Sequence, residues 1–320
     1  MIPRVSIVLP IYNEAADIDA ALERIAAQTF QDFEVLLADG GSNDGTLNLL
    51  TAWSERDERF RVIDNPRKLQ SAGLNEALGE CRGEYLVRLD GHSFVEPDYV
   101  QRCVDLLDTT GAAVVGGRML AQPVSSLVGR GIALANQSAW GAGPASFHAG
   151  TKSGPSETVY LGAFKTEVVR EVGGWAEDVG VNEDYELNHR IGKAGYTIWL
   201  DVDLGVGYRP RSTFKKLAIQ YFRYGRSKAA VMRRHPDSIR VRQVLPSLLV
   251  PTAAGLLLGP LRSISGLAIA THSGAVMVGA GRSGGPIQVR VAGGVAAMIM
   301  HWCWSAGFWF GLVRRFPAAK

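Results

Sequence analysis

The sequence predicts an α/β fold: a doubly wound sheet flanked by helices, followed by a C-terminal helical membrane region. Three observations predict it. Short apolar runs alternate with helical patterns from residue 5 onwards, as in a parallel sheet buried on both faces. The chemically informative residues stand just after those runs, where such sheets place their ligands. Residues 244–320 contain no Asp or Glu, whereas the first 243 mix charge and hydrophobicity like a soluble enzyme.

The elements follow in order. Residues 5–9 form the first apolar run, and the helical pattern after it puts Ile18, Leu22, Ile25 and Thr29 on one face. Residues 33–38 form the second, and a Gly/Ser/Asn/Asp cluster then opens a helix containing Leu47, Leu49 and Leu50. Residues 60–63 and 85–89 read as further strands, with a helix around 72–80 between them. An apolar share of 47% with 20% charged residues excludes a disordered chain. Cys81, Cys103 and Cys303 have no paired spacing, which argues against a disulfide framework or structural zinc and fits a reducing compartment. The start, Met1 to Arg4 and then a strand, has no basic leader or long apolar core, so no cleaved signal peptide is expected and the N-terminal domain is placed in the cytosol.

The tail holds three apolar stretches. A membrane-spanning helix needs roughly 20 apolar residues. Residues 291–313 meet this without a formal charge, with Trp302, Trp304 and Trp309 towards one end. Residues 244–261, interrupted by Pro246, Pro251 and Pro260, and 264–281, rich in Gly and Ala and carrying His272, are borderline. A buried hydrophobic hairpin of a larger soluble core is the competing reading. Arg314, Arg315 and Lys320 favour a cytosolic C-terminus and hence an even number of spans. Either one stretch is re-entrant or interfacial, or that rule fails here; the span count stays open. Ahead of the tail, residues 214–242 carry Lys215, Lys216, Arg223, Arg226, Lys228, Arg233, Arg234, Arg240 and Arg242. Leu217, Tyr221, Tyr224, Ala230 and Val231 recur there at near-helical spacing, so a basic amphipathic helix at an anionic lipid interface is expected. No nucleic-acid module accompanies this charge, and no nucleic-acid partner is expected.

Five clusters bear on the chemistry. The first strand continues as Pro10-Ile11-Tyr12-Asn13-Glu14, not as a glycine-rich phosphate loop, which argues against a dehydrogenase. Asp39-Gly40-Gly41-Ser42 follows the second strand; Asp39 can accept from an imide N–H, and Ser42 or Asn43 can cap the next helix. Read blandly, this is a turn with a cap. Asp90-Gly91-His92 follows the fourth strand and is either a turn or two ligands of one divalent cation. Glu183 and Asp184 open a helix, where the dipole favours acids in any case, while the functional reading makes Asp184 a general base. Gln220 and Arg223 lie three apart on one helical face, beside Tyr224. Arg223 can pair with a diphosphate, and Tyr224 can stack on a sugar.

Together these segments resemble the family 2 inverting glycosyltransferases of the GT-A fold, over residues 4–230. Five motifs stand in the family's order: Pro10-x-Tyr12-Asn13-Glu14, Asp39-Gly40-Gly41-Ser42, Asp90-Gly91-His92, Gly173-Gly174-Trp175 with Glu183-Asp184, and Gln220-x-x-Arg223-Tyr224. The resemblance implies a mixed GT-A sheet, uracil binding by Asp39, donor contacts from Pro10, Tyr12, Glu14, Asp90 and Arg223, and Asp184 as catalytic base. It implies acceptor contacts from Trp175, Glu183, Gln220 and Tyr224. Two departures stand out. Gly40 replaces the family's second acid, and His92 stands where the family has an Asp. Imidazole suits Mn²⁺ better than Mg²⁺, so a divalent cation held by Asp90 and His92 is expected.

The combination with Asn65-Pro66, Gln70-Ser71-Ala72 and Tyr224-Gly225-Arg226 is similar to glucosyltransferases of succinoglycan-type exopolysaccharide assembly. That similarity implies transfer of a hexose, glucose, from a UDP-sugar to a lipid-linked saccharide at the cytosolic face of the cytoplasmic membrane. The expected layout is a transferase domain over 1–212, a basic interfacial helix region over 213–243 and membrane helices over 244–320. The alternatives are a polyprenyl-phosphate hexosyltransferase and a non-catalytic membrane-anchored nucleotide-sugar sensor.

Overall fold

The computed structural model describes residues 2–122, 124–143, 151–282 and 284–314, without the side chains of 241 and 242. Arg315 and Lys320, used above for topology, and the Arg242 side chain lie outside the described residues. The first half alternates β1 (Val5–Ile11), α1 (Ile18–Ala26), β2 (Phe33–Asp39), α2 (Thr46–Arg56), β3 (Phe60–Asp64), α3 (Gln70–Glu80), β4 (Tyr85–Arg88) and α4 (Tyr99–Thr110). There follow β5 (Val114–Ala121), α5 (Leu127–Asn136), β6 (Gly154–Pro155), β7 (Tyr160–Lys165), α6 (Thr166–Glu171), α7 (Glu183–Lys193) and β8 (Ile198–Tyr208).

One sheet joins the strands in the order β3-β2-β1-β4-β7-β5-β8-β6. The β3-β2-β1-β4 half is parallel, as alternation predicts. The other half is mixed, because β7 inserts antiparallel between β4 and β5. Every residue of β2 is buried, which requires cover on both faces. Successive strand side chains point to opposite faces, so Ile7, Leu9, Val35 and Leu37 pack in one core layer with Ile18 and Leu22. Val8 and Leu36 join the other with Leu74, Phe164, Leu187 and Ile191.

Two local expectations are corrected. Thr29 is not on the face of α1, which ends at Ala26; its amide reaches Pro97 O across a loop instead. Neither Ser42 nor Asn43 caps α2. Its N-cap is Gly45, with φ +98°, and Asp44 Oδ1 accepts from Thr46 N at 3.1 Å. Ser42 Oγ instead accepts from Asn13 N at 2.9 Å, while Asn43 N donates to Asn13 Oδ1 at 2.9 Å. These bonds stitch the loops after β1 and β2 together.

The C-terminal part comprises α8 (Phe214–Arg234), α9 (Val241–Ser247), α10 (Leu249–Gly255), α11 (Arg262–Gly281) and α12 (Ile287–Val313). Two segments, Gly259–Gly281 and Ile287–Val313, are long and apolar enough to cross a membrane by length and composition. The stretch 244–261 is broken into short pieces, with Pro246 inside α9. The basic helix α8 does not stand free. A Cβ on Gly307 would meet Phe222 O at 2.0 Å, and one on Gly225 would meet Trp304 O at 2.0 Å. Small residues thus let α8 and α12 touch backbone to backbone. Lys228 departs from the expected basic surface: it is buried, and its Nζ donates to Ser238 O at 2.8 Å.

Candidate active site

Strand β4 ends in Arg88, an arginine buried to 2% exposure on an otherwise apolar strand. A buried cation needs partners, and three carboxylates supply them. Its guanidinium contacts Asp90 Oδ1 at 3.4 Å and Glu183 Oε1 at 3.3 Å, and forms a short ion pair with Asp184 Oδ1. Asp90 follows directly on β4, while Glu183 and Asp184 form the first turn of α7. Arg88 therefore ties a strand end to a helix N-terminus. Burial is the largest influence on the Glu183 carboxyl and pushes it up to about 7, against the pull of Arg88. Its Oε2 is buried and has no hydrogen bond among the described residues.

Trp175 does not sit where an acceptor could touch it. It is 2% exposed, its indole Nε1–H donates to Asp184 Oδ1 at 2.9 Å, and its ring packs edge-on to Phe164. The expectation of acceptor contact at Trp175 is therefore corrected: it supports Asp184 from beneath. The two preceding glycines make this possible. Gly173 and Gly174 have φ of +86° and +69°, and a Cβ on Gly174 would meet Asn75 Oδ1 at 2.5 Å. Asn75 then fixes the loop from both sides, accepting from Trp175 N at 2.8 Å and donating to Trp175 O at 2.8 Å.

A cavity of about 1800 Å³ opens over this cluster. Its walls include Glu14, Asp90, His92, Glu183, Asp184, Gln220, Arg223 and Tyr224, so eight of the predicted residues converge there. On α8, Gln220 Nε2 donates to Tyr224 Oη at 2.8 Å. His92 Nδ1 lies 3.0 Å from Glu14 Oε1, a bond that raises the imidazole's pKa. Pro10, Tyr12 and Asp39 lie outside the cavity walls. Asp39 ends β2; its Oδ2 accepts from Gly41 N at 3.0 Å and Ser42 N at 3.1 Å. Its Oδ1 is buried and has no hydrogen bond among the described residues. Among the described residues, no group of three or more His, Cys, Asp or Glu could hold a metal ion.

The sequence profile of glycosyl transferase family 2 matches residues 6–172. The chain is 34% identical over 313 residues to the succinoglycan biosynthesis protein ExoA of Rhizobium meliloti, covering 95% of this chain and 93% of that one. The chain belongs to glycosyl transferase family 2.

Other relatives extend the comparison. A protein of Methanococcus voltae, named dolichyl N-acetyl-α-D-glucosaminyl phosphate 3-β-D-2,3-diacetamido-2,3-dideoxy-β-D-glucuronosyltransferase, is 25% identical over 240 residues. That match covers 72% of this chain and 74% of the relative. The mannosyltransferase PcManGT from Pyrobaculum calidifontis, solved with GDP-Man and Mn²⁺, superposes with a TM-score of 0.62 at 19% identity. It covers 97% of this chain and 87% of its own. The fold is thus that of the GT-A glycosyltransferases, with a mixed sheet and apolar C-terminal helices, and this family 2 member is a glycosyltransferase.

Sequence reasoning missed Arg88. The signal was present, since an arginine inside the run 85–89 is a charge where both sheet faces are buried. Arg209 and Arg211 also line the cavity and were not singled out; Lys216, read only as part of the basic helix, lines it too.

Proposed function

We propose that the chain transfers a hexose, glucose, from a UDP-sugar to a lipid-linked saccharide at the cytosolic face of the cytoplasmic membrane, in exopolysaccharide or cell-envelope glycan synthesis. One observation carries this reading. The cavity that holds Asp90, Glu183 and Asp184 continues between apolar tail residues, including Ile264, Leu267 and Trp304. A saccharide at one end and an apolar anchor at the other suit such walls. The likeness to a succinoglycan biosynthesis protein and to a transferase named for a dolichyl-phosphate sugar supports the same reading. Residues 1–212 form the transferase domain in this scheme, 213–243 the interfacial region and 244–320 the membrane-associated helices.

The reaction is a single displacement with inversion. Asp184 takes the proton of the acceptor hydroxyl, which attacks the anomeric carbon as UDP departs. Trp175 and Arg88 hold Asp184 in place, both at its Oδ1. Asp39 Oδ1, with no hydrogen bond among the described residues, accepts from the uracil imide N–H, and Pro10, Tyr12 and Glu14 complete the donor side. Glu183, Gln220 and Tyr224 face the acceptor, and Arg223 meets the leaving diphosphate.

Asp90 and His92 fit a divalent cation, Mn²⁺ or Mg²⁺. Glu14 holds the His92 ring by Nδ1, an arrangement in which a carboxylate orients a ligating imidazole. Two protein ligands alone do not complete a shell, as is usual for ions that arrive with a substrate's phosphates. Such an ion would neutralise the charge of the departing nucleoside diphosphate.

The test incubates membranes carrying the protein with radiolabelled UDP-sugars, lipid extract and Mn²⁺ or Mg²⁺. UDP-glucose is expected to label an organic-extractable saccharide. No incorporation from any donor would overturn the proposal, and label on bare polyprenyl phosphate would replace its acceptor. Asp184→Asn is expected to lose roughly 10²–10⁴-fold in transfer while still binding UDP. Comparable turnover in that variant would remove Asp184 as the base.

A further inference from the structure

We infer that the tail does not cross the bilayer: α11 and α12 lie in the plane of the leaflet that faces the transferase domain, with α11 as the lipid contact. The inference rests on the membrane-bound reading above and adds the way the membrane is held.

The two long apolar helices are not equivalent. α12 has 27 residues, about 40 Å at 1.5 Å per residue, enough for a hydrocarbon core of roughly 30 Å. Yet between 292 and 308 none of its residues is exposed. Its N-terminal half is covered by α5: a Cβ on Gly131 would meet Ala292 Cβ at 2.5 Å, and one on Gly293 would meet Leu134 Cδ2 at 2.8 Å. Its C-terminal half is covered by α8. Leu217 shares a core cluster with Ala296, Ala297 and Met300; Phe222 meets Gly307; Arg226 and Ala229 meet Gly311. The two helices therefore advance side by side in the same direction.

That pairing restricts the orientation. Apart from the buried Lys228, α8 carries Lys215, Lys216, Arg223, Arg226, Arg233 and Arg234. If α12 stood along the membrane normal, α8 would stand there too and bring these cations into hydrocarbon, where they are strongly disfavoured. Lying in the plane, α12 keeps α8 on the aqueous side. The outer face of α11 is left for lipid: Ile264, Leu267 and Val278 are 68%, 70% and 56% exposed. The turn before it adds Leu257 at 88% and Leu258 at 55%. No charge interrupts α11 between Arg262 and Arg282, and no acid follows Asp237. The occupant of this face is therefore an anionic leaflet, drawn by α8 and entered by α11. Ile264 and Leu267 also line the cavity, so it opens sideways onto that leaflet.

Sidedness tests this in the full chain. Cys303→Ser removes the one native thiol that is not buried. In that background, Lys215→Cys marks α8 and Gln288→Cys marks the first turn of α12, next to its connection with α11; both positions are exposed. A membrane-impermeant maleimide is expected to label both cysteines from the same side of sealed vesicles. Labelling of Gln288→Cys only from the side opposite Lys215→Cys would overturn the inference. As a second measurement, Val278→Asp is expected to weaken partition into phosphatidylcholine/phosphatidylglycerol vesicles at least tenfold with an unchanged Tm; unchanged partition would overturn α11 as the contact. Opposite-side labelling with sugar transfer intact would remove the inference alone. Same-side labelling without transfer from any UDP-sugar would uphold it and remove the proposed reaction.

Discussion

The sheet and the tail are held together by different means. Around β1 and β2, branched aliphatic side chains fill two layers, and loop residues are free to carry chemistry because the strands beneath them are fully buried. Around α12, glycine and alanine bring backbones into contact, and there is little side chain to fill or remove. The first arrangement tolerates variation at its loop ends. The second tolerates little anywhere along its seam. The active cluster lies between them: Arg88 and Asp90 come from the sheet, while Gln220, Arg223 and Tyr224 come from a helix held by the tail.

Four variants probe this contrast. Arg88→Met should act hardest, since removing one partner of a buried charge cluster costs about 3–5 kcal/mol. Chemical denaturation would measure it, and a loss below 1 kcal/mol would mean the three carboxylates need no common cation. Gly307→Ala places a Cβ 2.0 Å from Phe222 O, where only backbone can give way. A loss of about 1–3 kcal/mol is expected from such overpacking, read as a fall in Tm. Gly274→Ala, with open space around its Cβ, serves as the control and should leave Tm unchanged or raised.

The third variant concerns pH. Burial raises the Glu183 carboxyl to about 7, so the folded chain keeps a proton that the unfolded chain releases near the ordinary 4.5. This contribution to stability is fully present below 4.5 and is lost as pH rises through about 7. Urea unfolding at several pH values should show the decline, and Glu183→Gln should flatten it. The smallest effect is at the rim. Glu14→Gln replaces the carboxylate that raises the His92 pKa by a neutral amide, so the imidazole should titrate at lower pH by NMR. An unshifted midpoint would mean that other charges set it.

The legible part of the candidate site was its carboxylates. Asp39, Asp90 and Asp184 stand at or just beyond the ends of buried strands or at a helix start, and those positions follow from local pattern. Trp175 was misplaced because its motif does not say which side of the loop the ring takes; Asn75, distant in sequence, and Phe164 on β7 turn it inward. Arg88 went unassigned because its three partners come from two elements nearly a hundred residues apart.

By itself the sequence determined the period of burial, and with it β1 to β4, α7, α8 and the apolar character of α11 and α12. Burial pattern is written locally, since a strand covered on both faces must be apolar throughout. Only the tertiary structure decided what does the covering. The antiparallel entry of β7, the inward turn of Trp175 and the pairing of α12 with α5 and α8 all depend on partners brought together by the fold. An apolar helix looks the same in sequence whether lipid or protein covers it, and the neighbours alone distinguish the two.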